Sequence, residues 1–363
     1  MTAPNFPSPR FRASVVGGTG YGGAELIRLL LKHPSVALCR VSSIDRVGEP
    51  LEAVHLNLTR TGLVFEKIPL ADAARGMDVV FLGLPHKVSS TLAPELDTVE
   101  AKVIDLSGDF RLKNKDSYAR FYGQEHPHPE QLDGRWIFGL PELYRDEIRI
   151  ARRVASPGCF ASSIMIGLLP LAAEGMLSGP VQTVAATGSS GSGAYAGAGT
   201  HHPTRANNLK IYKPLRHQHT PEIEQILNEA IARSGCATRF SLHFVPASAP
   251  LPRGILATSF VRVPASVNEA TLDRIFHGFY EDAIFVRVLG SQGRHAEVVA
   301  VKGSMWVDLS YTLSPPEDSE RQLIVATALD NLVKGGAGQA VQSMNLMLGL
   351  PEQEGIDDPA LWP

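Results

Sequence analysis

The sequence predicts an α/β protein: a doubly wound parallel sheet followed by a second α/β domain richer in strands. Three observations predict it. Residues 12–42 run apolar strand, glycine-rich turn, amphipathic helix and apolar strand in one compact β-turn-α-β unit. Short apolar strands then alternate with helical patterns up to residue 155, as a sheet covered on both faces requires. Beyond that point, segments with period-two alternation or β-branched enrichment dominate, which suits an antiparallel or mixed sheet.

The elements follow in order. Residues 12–16 read as a buried strand, and Gly17-Gly18-Thr19-Gly20-Tyr21-Gly22-Gly23 as the turn. A helix over 24–32 stops before His33-Pro34, and 36–42 is the second strand. Strands at 79–84 and 102–106 flank a helix at 89–96. In the second domain, strands are expected at 181–187, 241–245, 255–263, 284–288, 297–301 and 305–311, with helices near 221–233 and 268–281. Two helical stripes, 321–334 and 337–348, are separated by Gly335-Gly336 and are expected to pack back on the first domain. The expected division is therefore 1–155, 156–320 and a returning tail, 321–363.

Composition narrows the function classes. The chain has 363 residues, 44% hydrophobic and 20% charged, with a net charge of -3 and no Lys/Arg block, which argues against a nucleic-acid partner. Three widely spaced cysteines, Cys39, Cys159 and Cys236, form neither a disulfide framework nor a CxxC metal motif, so a reducing cytoplasm is expected. The Pro-rich, polar stretch 1–12 lacks the apolar core of a secretion signal. Apolar runs such as 164–171 are too short to span a bilayer.

The spacing Gly17-x-x-Gly20-x-x-Gly23, with a strand before it and a helix after it, is the context in which a backbone approaches a pyrophosphate at a helix N-terminus. This makes the first domain a Rossmann dinucleotide-binding domain, with Gly17, Thr19, Gly20, Tyr21 and Gly22 at the cofactor. At the end of the second strand, where NAD-specific loops carry an acid, stand Ser42, Ser43 and Arg46. Two hydroxyls and an arginine suit a 2′-phosphate and favour NADP(H), although Asp45 in the same turn points the other way. Leu84-Pro85-His86 and Ser107-Gly108-Asp109-Phe110-Arg111 close later strands, at the cofactor edge or as ordinary loops.

Cys159 follows Pro157-Gly158 and opens an apolar helical segment, which sets the thiol at a helix N-terminus, where thiolate is favoured. The alternative is a small core residue. A cysteine nucleophile beside a nicotinamide suggests redox chemistry through a thioester, which needs an acid/base. His219 is the best placed of twelve histidines, just before a helix opened by Thr220 and Pro221. His217 and His219 could instead form a metal pair, but no acidic or cysteine ligands accompany them, and no metal is expected. Arg253, leading into a strand, could clamp a substrate anion or sit on the surface. Ser189 and Ser190, in the Gly-Ser-rich run 187–193, could wrap an anion with backbone N–H groups or form a linker.

Over essentially its whole length, and in the same order, the sequence resembles the N-acetyl-γ-glutamyl-phosphate reductases. The resemblance rests on segments 17–26, 106–112, 138–145, 156–160, 217–225, 253–258, 330–336 and 339–349. Pro157-Gly158-Cys159-Phe160 and His217-Gln218-His219-Thr220-Pro221-Glu222-Ile223 are the most specific of these. It implies a catalytic domain of semialdehyde-dehydrogenase type, a homotetramer, Cys159 as acyl-enzyme nucleophile and His219 as acid/base. It also sets Asn345, in the tail, at the cofactor. Two departures stand out: Ser162 occupies a position usually held by threonine, and 187–214 differs from the family's usual glycine-rich run. The stretch Thr200-His201-His202-Pro203-Thr204-Arg205 through Lys210 and Lys213 looks more like sister reductases of lysine synthesis, whose 2-aminoadipate 6-phosphate is carried by a small acidic protein. The expected activity is reduction of N-acetyl-γ-glutamyl phosphate, with the carrier-linked reaction as alternative and a non-catalytic dinucleotide-binding redox sensor as a minor one.

Overall fold

The computed structural model describes residues 9–291 and 293–362; the Pro-rich lead up to Ser8 lies outside them. The chain divides into two compact units, one of residues 9–119, 123–157 and 336–358, the other of 120–122, 158–335 and 359–362.

The first unit is built on strands β1 (Phe11–Val16), β2 (Val36–Ser42), β3 (Phe65–Glu66), β4 (Val79–Leu82), β5 (Lys102–Asp105), β6 (Ile137–Phe138) and β7 (Arg153–Ala155), all parallel, in the order β3-β2-β1-β4-β5-β7-β6. β4 is buried at every position, as a strand covered on both faces must be. Chain direction across the sheet reverses between β1 and β4, and the glycine turn leaves the sheet at that switch point. Helix α1 (Tyr21–Leu31) buries Leu26, Ile27, Leu29 and Leu30, the 3.6-residue stripe its sequence carries. The expected helix at 89–96 is a 3₁₀ turn, Ser89–Leu92, running into one α-turn, Ala93–Leu96. Helix α2 (Pro141–Ile150) completes this part of the unit.

The second unit holds β8 (Gly179–Thr187), β9 (Lys210–Ile211), β10 (Phe240–Ser248), β11 (Ile255–Pro264), β12 (Val286–Gly290), β13 (Val307–Leu313) and β14 (Glu320–Leu329) in a mixed sheet of order β12-β13-β14-β11-β8-β10-β9. Along β11, buried and more exposed residues alternate, so one face is covered. The cover comes from α3 (Cys159–Ala173), α4 (Thr220–Arg233) and α5 (Glu269–Phe279). α3 is buried from Phe160 to Ala172, a helix apolar on all sides. The other face of the sheet exposes Val184 and Phe260.

Two sequence expectations fail here. Residues 297–301 form a short 3₁₀ turn, Val298–Ala300, not a strand. Residues 321–334 do not form a helix: β14 runs through them, paired along its length with β11 and β13. Its Leu, Ala and Arg content suggested a helix, but Leu323, Val325 and Thr327 alternate inward with Ile324 and Ala326, and a central strand's pairing overrides propensity. Segment 321–335 therefore belongs to the second unit. The return to the first unit begins at Gly336, where α6 (Gly338–Met347) packs against α1 and α2. Among the described residues, no helix is long and apolar enough to cross a membrane.

Candidate active site

In the first unit, the glycine turn is shaped by close backbone approaches. Gly17 has φ of 88°, and a side chain there would meet the Gly83 carbonyl oxygen at 2.8 Å. At Gly23 a Cβ would stand 2.6 Å from the Gly18 carbonyl, so α1 can start this near β1 only with glycine. Gly20 and Gly22 face open space. Gly20 caps α1 without a side-chain hydrogen bond, and no acid sits in the first turn, so the uncapped N–H groups around Tyr21 and Gly22 suit a pyrophosphate. Thr19 borders the same opening, half-buried.

At the end of β2 the three expected residues differ in role. The Ser42 carbonyl accepts from the Gly17 and Gly18 N–H groups and pins the turn. The Ser43 hydroxyl donates to Asp45 and accepts from the Asp45 and Arg46 N–H groups. Arg46 is exposed, 3.5 Å from Glu49. Asp45, in the same turn, accepts from the Ser43 hydroxyl.

The loops after β4 and β5 latch each other. Asp109 is fully buried and accepts from the Lys87 and Ser90 N–H groups and the Tyr118 hydroxyl, while His86 Nδ1 accepts from Gly108 N–H. Arg111 donates to the carbonyls of Ser156 and Leu106. Asn345, fully buried, accepts from His33 Nε2 on its Oδ1 at 3.0 Å and donates to the carbonyls of Glu352 and Glu354. Its amide nitrogen fastens the tail.

In the second unit Cys159 is the first residue of α3, partly exposed where the rest of the helix is buried, and carries a thiol. Gly158 caps the helix in an extended conformation without a side-chain bond, which leaves first-turn N–H groups around the sulfur. His219, buried, is the residue preceding α4, and its imidazole lies flat against Gly158: a Cβ there would fall 2.3 Å from Nε2. Glu222, one turn into α4 and buried, ties the two together. One carboxylate oxygen accepts from Gly158 N–H at 3.2 Å, and the other stands 3.8 Å from His219 Nε2.

His217 accepts the His219 backbone N–H on its Nδ1 and sits edge-on among Phe160, Tyr212 and Phe244. Its ring meets that of His219 edge to face at 4.6 Å. Among the described residues no group of three or more His, Cys, Asp or Glu is placed to hold a metal. Burial, and then the negative charge of nearby Cys159, push the Tyr212 phenol above its ordinary value, so it remains a hydroxyl donor. Gly335 approaches so closely that a Cβ would stand 2.8 Å from Cys159 Cβ.

Arg253, Ser189 and Ser190 are brought into one cluster, but not as expected. Arg253 donates through Nε and Nη2 to Asp330 Oδ1 at 3.3 and 2.9 Å. Asp330, fully buried, also accepts from the Leu332, Val333 and Gly303 N–H groups. The N–H groups of Gly188, Ser189 and Ser190 donate to the carbonyls of Gly254, Leu251 and Pro252. Asn331 completes the staple, accepting from Gly254 N–H and donating to the Ser190 hydroxyl. Sequence reasoning missed Glu222, Asp330 and Asn331. Only Glu222 left a usable signal, its spacing of three from His219 across a helix start.

Comparison with known proteins agrees with both units. Residues 12–151 match the model "Semialdehyde dehydrogenase, NAD binding domain", and 159–331 match "Semialdehyde dehydrogenase, dimerisation domain". The N-acetyl-gamma-glutamyl-phosphate reductase of Thermus thermophilus is 41% identical over 96% of this chain and 99% of its own. That of Bacillus subtilis is 38% identical, covering 97% and 100%. The LysW-L-2-aminoadipate 6-phosphate reductase of Deinococcus radiodurans is 37% identical, covering 96% and 97%. Aspartate semialdehyde dehydrogenase II of Vibrio cholerae shares the fold, with a TM-score of 0.68 at 15% identity over 94% of this chain and 99% of that one. A dinucleotide-binding turn, a thiol at a helix N-terminus and full-length kinship thus converge: the chain belongs to the semialdehyde dehydrogenase family, as an NAD(P)-dependent acyl-phosphate reductase of the N-acetyl-γ-glutamyl-phosphate and LysW-aminoadipate type.

Proposed function

We propose that this enzyme reduces N-acetyl-γ-glutamyl phosphate to N-acetylglutamate 5-semialdehyde and phosphate, with NADPH and through a thioester on Cys159. The observation that carries the reading is the Gly158–Cys159–His219–Glu222 arrangement: a thiol at an uncapped helix start, with an imidazole held against the preceding residue by a buried carboxylate. His219 takes the thiol proton, the sulfur attacks the acyl carbon, and the bond to the phosphate oxygen breaks as phosphate leaves. N–H groups of the first turn of α3 face the developing oxyanion. NADPH, when bound, would supply the hydride that reduces the thioester carbonyl. His219 then returns its proton as the carbon–sulfur bond breaks and the aldehyde departs. Gly17, Thr19, Gly20, Tyr21 and Gly22 would hold the pyrophosphate, and Ser42, Ser43 and Arg46 the ribose 2′-phosphate.

A second reading, the carrier-linked 2-aminoadipate reaction of lysine synthesis, draws on a surface feature. Leu209, Ile211 and Leu215 are exposed beside Lys210, Lys213 and Arg216, a mixed apolar and basic strip suited to a small acidic protein. The exposed sheet face bearing Val184 and Phe260 is proposed as the homo-oligomer surface, in a cytoplasmic homotetramer. The reverse assay separates the readings. N-acetylglutamate semialdehyde with NADP+ and phosphate is expected to yield NADPH; turnover of only the carrier-linked semialdehyde would move the assignment to lysine synthesis. NADP+ binding with neither reaction would leave the redox sensor.

A further inference from the structure

Arg205 is a cation set down without an anion. It ends the short helical turn His202–Arg205, half-buried. One Nη2 hydrogen reaches the Thr187 carbonyl at 3.4 Å, a weak contact, and the Nε hydrogen is buried with no hydrogen-bond partner among the described residues. No carboxylate among the described residues forms an ion pair with it. Burial lowers its pKa, and Tyr212 is the one neighbour whose charge opposes that shift. The Tyr212 ring stands 5.8 Å from that of His217, which meets the His219 ring at 4.6 Å. Arg253 differs: its fork is engaged by Asp330.

A half-buried guanidinium with a buried, unpartnered Nε and no counter-charge is unfavourable unless a ligand supplies one. The proposed substrate carries two anionic groups: the phosphate on the reacting carbon, and the backbone carboxylate several bonds away. Arg205 adjoins Tyr212 on the His217 side of the site, and the remote group is the one assigned to it. We infer that Arg205 binds the backbone carboxylate of the acyl-phosphate substrate and so sets where the acyl carbon meets Cys159. The inference rests on the function proposed above and names the residue that fixes its substrate's orientation.

In the reverse reaction, Arg205→Gln is expected to raise KM for N-acetylglutamate semialdehyde about 10- to 100-fold, the loss of a charge-assisted bidentate contact, and to leave KM for phosphate unchanged. Arg205→Lys is expected to recover part of the loss, because an ammonium keeps the charge without the fork. An unchanged aldehyde KM overturns the inference, and so does a rise confined to phosphate. Binding to Cys159→Ala protein, followed by calorimetry, needs no turnover. N-acetylglutamine, which keeps the carboxylate, should bind more tightly than its α-amide, and adding Arg205→Gln should erase that difference. A difference that persists overturns the inference. Failure of the wild-type chain to turn over the semialdehyde would instead sink the functional reading, with the calorimetric comparison still judging Arg205. Superimposable melting curves show that the variant folds.

Discussion

At Gly158 a single methyl group decides whether the imidazole can lie where it does. The Cβ of Gly158→Ala would occupy space taken by the His219 ring, and that ring cannot retreat from a buried pocket without moving Glu222. The expected result is a drop in kcat of about 100-fold or more, the cost of misplacing a proton-transfer group by an ångström, with NADPH affinity intact by fluorescence titration. Glu222→Gln keeps the shape and removes the charge. It should lower kcat about 10- to 100-fold, because the imidazole loses the charge 3.8 Å from its Nε2; an unchanged kcat would deny Glu222 its electrostatic part. Cys159→Ala should abolish turnover and retain dinucleotide binding; surviving turnover would exclude the thioester. Cys159 and His219 were legible in the sequence because Pro-Gly and Thr-Pro announce helix starts, and a helix start localises chemistry. Asp330 and Asn331 were not, since their partners at 253 and 254 lie 77 residues away and no local pattern encodes such a pairing.

Among the elements, the parallel sheet was the easiest to foresee and β14 the hardest. Strands such as β4, apolar at all positions, leave no alternative to double-sided burial. β14 carries Ala and Leu at positions where pairing with β11 and β13, not local preference, decides the outcome. The glycine turn lies between these cases: its residues predicted a cofactor loop, but only the structure separates Gly17 and Gly23, which must be glycine for backbone contact, from Gly20 and Gly22, which face outward. Gly23→Ala should therefore weaken NADPH binding about 10-fold or more by displacing the start of α1, with the alkylation rate of Cys159 by iodoacetamide unchanged. Equal affinity in the variant would show that this close packing does not shape the cofactor site.

For the molecule as a whole, the fully buried carboxyl of Asp105 links stability to pH. Burial, only partly offset by the Ser107 hydroxyl, raises its pKa from 3.8 to about 6. Between those values the folded chain binds more protons than the unfolded one, so this group's contribution to stability falls as pH rises through the window and is flat above it. Asp105→Asn should remove a penalty of at most ~3 kcal/mol, seen as a higher Tm than wild type at pH 7.5 and a gain that fades towards pH 4. A gain that is the same at both pH values would show that ionisation is not its source. Helix α3 joins the interior to the chemistry most directly, since its sulfur-bearing end is rooted in a body of hydrocarbon from Phe160 to Ala172. The nucleophile cannot drift unless that interior loosens. A void cut at Leu168, more than two turns from the thiol, would thus announce itself in how fast a small electrophile labels Cys159, making that labelling rate a gauge of the fold's integrity.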